Sequence, residues 1–378
     1  MIKAYKIGFW QIICSVGSLK IKFLKLIDFY LGSILAFLLP AREKKTKPTV
    51  PLTRLLIIRP GGIGDAVFLV PFLRALRKSN PMLKIGVLCE KRNAEIFCLQ
   101  KGLVDELWVY DTISSFFNLY RNRFDLIIDT EQWHYLSALV AYFLKAPHTI
   151  GFATRRLRAK LFHEKISYDQ EVYELENFKK LFASLLSNVR QIKDINNCLQ
   201  IDEKVLQWAR NIVEGPTVAI FLGASIAIRR LNKSQSLPLI RCVLEKGFHV
   251  ILLGGRDVVP AGKEIEEELF KAEVKNFIGK ASLIQSAALI KQSRFFVGPD
   301  SGLMHLACAV GTPVVAIFGP GNLKKWGPKG ERHVIVTENV ECSPCTHLGY
   351  TVPTCRESYH CMRELNVKNL FQALNGFL

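Results

Sequence analysis

The stretch that decides the fold reads VGPDSGLMHLACAVGTPVVAIFGP and spans residues 297–320. An apolar strand ends at Val297, the turn Asp300-Ser301-Gly302 opens a helix, and Gly311-Thr-Pro stops that helix before a second apolar strand. This order predicts a βαβ unit of a parallel sheet. The unpaired N–H groups at such a helix start favour a phosphate, so a ligand site is expected there. A turn and cap without a ligand is the alternative.

The same alternation runs outward through the chain. A helical stretch over 172–188 and a domain boundary near 190–215 separate two series of expected strands. These strands lie at 55–59, 84–88, 107–110 and 126–129, and then at 217–222, 250–253, 295–297 and 314–318, with helices between them. A chain of 378 residues is long enough for two cores. The sequence therefore predicts an α/β protein of two doubly wound, Rossmann-like domains that face a central cleft.

The charge of the chain indicates anionic partners. It holds 51 Lys and Arg against 33 Asp and Glu, a net charge of +18. Nucleotides, phosphorylated glycans, nucleic acids and acidic lipids all satisfy this balance. Because no basic stripe with aromatic stacking positions occurs beyond the N-terminal extension, we expect no nucleic-acid partner.

The extension, residues 1–50, is both basic and apolar. It carries nine Lys and Arg against two Asp and Glu. Its longest uninterrupted apolar run, 29–39, is about half of the roughly 20 residues that a spanning helix needs. We expect a helix that lies on an anionic membrane surface. A single span and a hydrophobic extension packed on the body are the alternatives.

A second motif, Arg59-Pro-Gly-Gly-Ile-Gly-Asp65, lies between an expected strand and helix. It lacks the third glycine of a dinucleotide fingerprint, and the Asp65 carboxylate would repel a pyrophosphate. Asp65 either caps the helix or faces the crevice at the carboxyl edge of the sheet, where ligands bind.

A third motif, Gly223-Ala-Ser225, ends a strand and precedes Arg229 and Arg230. The guanidinium fork suits a diphosphate, whereas a solvated surface pair is the plainer interpretation.

Taken together, the motifs resemble family 9 glycosyltransferases, the ADP-heptose:lipopolysaccharide heptosyltransferases. They follow the order Gly-Gly-Ile-Gly-Asp, Gly-Ala-Ser, Leu-Gly-Gly-Arg-Asp, Asp-Ser-Gly-x-x-His and Phe-Gly-Pro, and the similarity covers about residues 54–370. The resemblance implies a GT-B fold, an acceptor-binding N-terminal domain, a nucleotide-sugar-binding C-terminal domain and no catalytic metal or cofactor. It also implies inverting transfer of heptose from ADP-heptose to a glycolipid, on the cytoplasmic face of the inner membrane of a bacterium.

The resemblance assigns roles to individual residues. Asp65 matches the general base, and Arg229 stands where the family usually has a phosphate-binding Lys. Leu231 and Asn232 replace the Trp and Pro that usually follow, and no acid stands at Val258, where the family binds the ribose. The expected donor-binding set is Gly223, Ser225, Arg229, Arg230, Asp257, Asp300, Ser301, Gly302, Leu303 and His305. The expected acceptor-binding set is Gly62, Gly64, Arg155 and Arg156.

The cysteines divide into two groups. Six stand singly among apolar residues and indicate buried thiols in a reducing compartment: Cys14, Cys89, Cys98, Cys198, Cys242 and Cys308. The other four, Cys342, Cys345, Cys355 and Cys361, supply the number of thiols that a tetrahedral site requires. A structural zinc or iron, free thiols and disulfides are the alternatives.

We therefore expect four segments: the membrane-associating extension 1–50, the acceptor domain 51–200, the donor domain 201–345, and a cysteine-containing segment with a final helix, 346–378. Three other functions stay open. They are a transferase of the same fold with another sugar or a protein acceptor, a sugar-nucleotide epimerase, and a sugar-nucleotide-binding membrane protein without catalysis.

Overall fold

The computed structural model describes residues 26–45, 52–110, 112–269, 273–338, 340–347, 350–351, 355 and 360–377. Most of the expected membrane-associating extension lies outside these ranges. Cys14 lies outside them as well.

The first sheet is parallel and has the strand order β3-β2-β1-β4-β5-β6. Its strands are β1 Arg54–Arg59, β2 Lys84–Cys89, β3 Glu106–Val109, β4 Leu126–Asp129, β5 His148–Phe152 and β6 Glu164–Ile166. Helices cover both of its faces, which is why β1 and β4 read as continuous apolar runs. The loop and helix start that follow β1 contact the second domain, where Gly64 lies against His305.

The second sheet is also parallel, with the order β12-β11-β10-β7-β8-β9. Its strands are β7 Thr217–Phe221, β8 His249–Leu253, β9 Val274–Asn276, β10 Phe295–Pro299, β11 Val314–Phe318 and β12 His333–Thr337. A two-stranded antiparallel ribbon, β13 Thr346–His347 and β14 Tyr350–Thr351, follows. The prediction of two doubly wound α/β domains is confirmed.

The helices fall into three groups. Those of the N-terminal segment and first domain are α1 Ser33–Leu38, α2 Ile63–Ser79, α3 Lys91–Cys98, α4 Ile113–Tyr120, α5 Tyr135–Phe143, α6 Arg156–Ala159 and α7 Glu174–Phe182. Those of the second domain are α8 Glu203–Arg210, α9 Lys233–Glu245, α10 Val259–Leu269, α11 Leu283–Gln292, α12 Gly302–Val310 and α13 Leu323–Trp326. The last two are α14 His360–Arg363 and α15 Val367–Asn375. The expected helix over 172–188 is shorter than predicted, because it ends at Phe182.

One of the hydrophobic core clusters extends across both domains. Phe68 of α2 and Met304 of α12 are both fully buried in it. The final helix α15 belongs to the second domain, since Leu370 and Leu374 are buried beneath the second sheet. The starts of α2 and α12 therefore meet in the cleft.

The N-terminal segment packs on the first domain. A π-helical turn, Asp28–Gly32, precedes α1, and Ala36 of α1 is fully buried against the layer that contains α5. No helix in the part of the chain that the structure describes is long and apolar enough to cross a membrane.

Candidate active site

Asp65 lies in the first turn of α2, at the carboxyl edge of the first sheet. The helix begins at Ile63 with Gly62 as its N-cap, and no side chain caps it. Asp65 is therefore not the cap residue, and this alternative is wrong. About a fifth of its side chain is exposed, and its Oδ2 lies 3.9 Å from Nη2 of Arg59. The carboxylate is consequently available at the cleft.

Arg59 is a buried cation behind Asp65. Its Nη1 donates to the carbonyl of Thr130 at 2.8 Å, and its Nη2 donates to Oε2 of Glu131 at 3.1 Å. Burial alone would lower the pKa of Arg59, but the carboxylates of Asp65 and Glu131 outweigh that effect and raise it. Arg59 therefore stays charged and fixed beside Asp65. The sequence offered one signal for this role, a charged residue that ends a buried apolar strand.

Asp300 is the corresponding carboxylate of the second domain. It follows β10, it is buried, and its Oδ2 lies 3.1 Å from Nη1 of Arg229. Burial raises the pKa of Asp300; the Arg229 guanidinium opposes this shift, and the negative charge of Asp65 adds to it. The two carboxylates therefore belong to the same region of the cleft, where Gly302 of the second domain packs against Ile63 of the first.

The helix α12 begins directly after Asp300. Ser301 is its N-cap, and its hydroxyl accepts the N–H of Met304 at 3.4 Å. The other first-turn N–H groups have no acceptor within the helix. Ser301, Gly302 and Leu303 are each partly exposed, so this helix start is open to a ligand.

Two glycines allow the domains to approach this closely. A Cβ on Gly302 would lie 2.7 Å from Cβ of Ile63, and one on Gly64 would lie 2.6 Å from Cδ2 of His305. Any larger residue at either position would push the helix starts of the two domains apart.

His305 is buried in the contact between the domains. Its ring packs edge to face against Phe68, with centroids 5.1 Å apart, and against Trp326 at 6.2 Å. Burial, assisted by the charge of Arg229, lowers the pKa of His305 to about 3. The imidazole is therefore neutral and belongs to the wall of the cleft.

Arg230 and Asp257, both expected at the donor, form an ion pair. Arg230 also donates from Nε and Nη2 to the carbonyl of Ala224 at 3.1 Å each, which fixes the loop after β7. In that loop Gly223 is buried and Ser225 is exposed. Arg230 and Asp257 line a cavity of about 310 Å³ together with Leu222, Leu231 and Val258.

A buried polar cluster joins the two domains. The Glu174 carboxylate accepts from Nε2 of Gln132 and from the hydroxyl of Tyr168, both at 2.7 Å. Lys325 of the second domain donates to that hydroxyl and lies 3.6 Å from Oε2 of Glu174. Sequence reasoning missed this cluster, because its members are polar residues inside helices and loops without a motif.

The expected acceptor arginines differ in their surroundings. The guanidinium of Arg155 lies over the rings of Tyr135 and Trp133, at 4.2 and 4.8 Å from their centroids. Phe29 of the N-terminal segment adds a third ring at 5.9 Å. Arg156 is exposed and is not brought to this aromatic group. Arg155 is therefore the arginine held at the first-domain side of the site.

A third arginine, Arg158, supports the same region from inside. It is fully buried, and its Nη2 donates to Oδ2 of Asp129 and to the carbonyl of Glu131 at 2.7 and 2.6 Å. These bonds fix the loop after β4, which carries Glu131 toward Arg59.

The four C-terminal thiols, all of them among the described residues, are not found in an arrangement that would hold a metal ion. Burial raises the pKa of Cys361 to about 11, and Cys345, Cys342 and Cys355 add to the shift. Among the described residues, no group of three or more His, Cys, Asp or Glu side chains is arranged to hold a metal ion. The expected structural zinc or iron is therefore not supported. Of the single cysteines, Cys89, Cys198 and Cys308 are buried as predicted, whereas Cys98 is exposed and Cys242 is partly exposed.

Comparison with known proteins identifies the family. A model of glycosyltransferase family 9 (heptosyltransferase) matches residues 114–354. Lipopolysaccharide heptosyltransferase 3 of Escherichia coli K12 is 30% identical over 286 residues, which cover 70% of this chain and 82% of the relative.

Two solved structures support the fold. That of Escherichia coli ADP-heptose lipopolysaccharide heptosyltransferase II has a TM-score of 0.68 at 21% identity and covers 86% of this chain and 98% of its own. An Escherichia coli heptosyltransferase with ADP-2-deoxy-2-fluoro heptose has a TM-score of 0.65 at 18% identity, with 86% and 99% covered. The expected GT-B architecture is confirmed. Since the family match spans more than half of the sequence, the chain is a glycosyltransferase that belongs to family 9, the heptosyltransferases of lipopolysaccharide biosynthesis.

Proposed function

We propose that this chain transfers a heptose from ADP-heptose to a hydroxyl of the lipopolysaccharide inner core, with inversion at the anomeric carbon. The observation that carries the proposal is the meeting of α2 and α12 in one cleft. It sets a partly exposed carboxylate, Asp65, opposite an open helix start beside Arg229. A base and an anion-binding site on facing domains are what a single displacement requires.

In the proposed reaction, Asp65 takes the proton of the acceptor hydroxyl. The acceptor oxygen forms a bond to the anomeric carbon as the bond from that carbon to the diphosphate oxygen breaks, and ADP leaves with the electron pair. Attack from the side opposite the diphosphate inverts the configuration. Arg59 keeps a fixed positive charge near the base, and no metal or other cofactor takes part in the chemistry.

The donor diphosphate is proposed to bind at the start of α12. The N–H groups of Ser301, Gly302 and Leu303 and the positive end of the helix dipole favour the charge that develops on the leaving group. Arg229 adds a guanidinium whose Nη2 also lies 3.5 Å from the Thr346 hydroxyl.

The nucleoside part of the donor is proposed to occupy the cavity beside Arg230 and Asp257, at the carboxyl ends of β7 and β8. The heptose is proposed because the chain belongs to the heptosyltransferase family and has the fold of an enzyme whose structure contains an ADP-heptose analogue.

The acceptor is proposed to approach along the first domain, past Arg155, from an anionic membrane. Five large apolar residues of the N-terminal segment are exposed at helical spacing: Tyr30, Leu31, Ile34, Phe37 and Leu38. Leu136 and Phe143 of the neighbouring helix α5 are also exposed. Such a face, followed in the sequence by Lys44 and Lys45, suits the boundary between headgroups and acyl chains. We therefore propose peripheral attachment to the cytoplasmic face of the inner membrane.

The replacement Asp65→Asn tests the proposed base. We expect transfer from ADP-heptose to an inner-core acceptor to fall by about 10²–10⁴-fold, because a general base contributes that much. Binding of ADP should not weaken, since Asp65 belongs to the facing domain and its negative charge does not attract the diphosphate. Mass spectrometry of the acceptor measures transfer, and calorimetry measures binding.

Asp105→Asn is the matched control, because Asp105 is an exposed aspartate that pairs with Arg77, away from the cleft. Equal loss of transfer and ADP binding in Asp65→Asn would contradict the role as base. Transfer of a hexose but never of a heptose would contradict the donor.

A further inference from the structure

A buried carboxylate of the N-terminal segment, that of Asp28, bonds to the first domain. Asp28 is only 4% exposed, its Oδ1 accepts the N–H of Leu136 at 2.7 Å, and its Oδ2 lies 3.0 Å from Nδ1 of His134. The helix α5 has His134 at its N-cap without a side-chain cap of its own. Asp28 therefore supplies an acceptor to the first turn of α5 from 108 positions away in the sequence.

Further contacts hold the same segment in place. Nζ of Lys160 donates to the carbonyl of Phe37 at 2.9 Å, and Nη2 of Arg42 donates to the carbonyl of Tyr142 at 2.6 Å. Ala36 is fully buried, so the segment contacts the domain at several points between Asp28 and Arg42. Its position and that of the loop before α5 are consequently linked.

The loop 131–134 is connected to Asp65 through Glu131 and Arg59. Oε1 of Glu131 accepts the N–H groups of Trp133 and His134 at 2.9 and 3.4 Å. Its other oxygen, Oε2, accepts from Arg59, whose Nη2 lies 3.9 Å from Asp65. One loop, 131–134, therefore has Asp28 at one end and the Glu131–Arg59 pair at the other.

We propose that Asp28 is a positioning residue for the transfer reaction: by seating the N-terminal helix it fixes the loop 131–134 and, through Glu131 and Arg59, the orientation of Asp65. The inference rests on the proposed role of Asp65 as base. The helix whose exposed face is proposed to meet lipid then also completes the acceptor side of the site. The Asp28 carboxylate therefore links the proposed attachment to the membrane with the rate of transfer.

A water-soluble acceptor separates positioning from membrane attachment. The full chain is assayed with ADP-heptose and deacylated inner-core oligosaccharide, without lipid. We expect Asp28→Ala to lower kcat by about 10- to 100-fold, the scale of effect that a small misplacement of a reacting group produces. The KM for ADP-heptose and the Kd for ADP should stay as in the wild type. Asp28→Asn, which keeps an oxygen for the Leu136 N–H, should lose less.

Two controls exclude a merely structural effect. Oδ2 of Asp125 accepts the N–H groups of Thr53 and Arg54 at 2.8 Å each, at the opposite end of β4 from the site. Asp125→Ala should therefore destabilise the fold and leave kcat unchanged. Ser33→Ala removes a bond to the Tyr30 carbonyl within the N-terminal segment itself and should also leave kcat unchanged.

A double variant tests the route through the loop. If Asp28 acts through Glu131, the double variant Asp28→Ala/Glu131→Gln should have the kcat of the more damaging single variant. Multiplying losses would overturn the route, and a wild-type kcat in Asp28→Ala would overturn the inference while leaving the proposed function intact. Full activity of Asp65→Asn, or no heptose transfer by the wild type, would instead refute the proposed function and the inference with it.

Discussion

At the scale of single residues, the position of Asp300 depends on a glycine beside it, Gly321. Asp300 is buried against the loop that follows β11, and a Cβ on Gly321 would lie 2.2 Å from its Oδ2. An alanine there must displace the carboxylate from Arg229. The two charges would then be buried without each other, which costs far more than the added methyl group.

We therefore expect Gly321→Ala to lower the free energy of unfolding by about 1–3 kcal/mol and to weaken ADP binding. Denaturant unfolding and calorimetry measure the two effects. Gly376→Ala is the matched control, because the nearest atom to its added Cβ is 3.7 Å away. An unchanged unfolding midpoint in Gly321→Ala would contradict this account of Asp300.

At the scale of elements, the short helix α13 of the second domain contacts the first domain through Lys325, which pairs with Glu174. Lys325 is 4% exposed in its side chain, and Glu174, with which it pairs, is fully buried. Burial raises the pKa of Glu174, and Lys325 is the main opposing influence. Replacing Lys325 by Met leaves the carboxylate buried without its cation.

We expect Lys325→Met to lower the free energy of unfolding by about 3 kcal/mol at pH 8. An acid whose folded pKa exceeds its ordinary 4.5 loses folded-state stability as the pH rises from that value toward the folded pKa. Because the variant lacks the opposing cation, its deficit relative to the wild type should grow as the pH rises above about 4.5.

Denaturant unfolding at several pH values measures the deficit. Lys324→Met, a change to the exposed neighbour in the same helix, should have little effect at any pH. Adding Glu174→Gln to Lys325→Met should abolish the pH dependence. A deficit that is constant with pH would show that Glu174 is not its source.

At the scale of the whole molecule, net charge and the exposed helix face combine. A net charge of +18 favours attraction to an anionic surface such as the proposed membrane, and Phe37 and Leu38 are 67% and 69% exposed on the N-terminal helix. Electrostatic attraction over a surface is screened by salt, whereas insertion of apolar side chains is not.

We expect co-sedimentation with phosphatidylglycerol-containing vesicles that weakens with salt, and little binding to pure phosphatidylcholine. Leu38→Ser should weaken binding to anionic vesicles on the order of tenfold, because it removes apolar area from the lipid contact. Met82→Ser is the control, since Met82 is 88% exposed but lies outside the N-terminal helix. Equal effects of the two changes would contradict the proposed membrane face.

The sequence by itself determined the elements that carry local periodicity. Strands β4 and β11 begin and end where their apolar runs do, and the turn at Asp300 opens a helix as its residues predict. Strands β5 and β6 were not expected, because each begins with a polar residue, His148 and Glu164 respectively. These two side chains are partners only in the folded sheet, where Nε2 of His148 lies 3.2 Å from Oε2 of Glu164. A short polar strand is specified by its neighbours, which a local pattern does not contain.

The tertiary structure alone decided how the site is assembled. Asp65 and the helix start at Gly302 were recognised from their motifs, yet the buried polar pairs around the site were not. Arg59 and Glu131 are 72 positions apart, and Lys325 and Tyr168 are 157 apart. Asp28 reaches His134 over 106 positions. Periodicity and motifs describe neighbours along the chain, whereas buried charges need partners brought together by packing. The first pairing therefore needs the folded first sheet, the second needs the contact between the domains, and the third needs the N-terminal segment packed on the first domain.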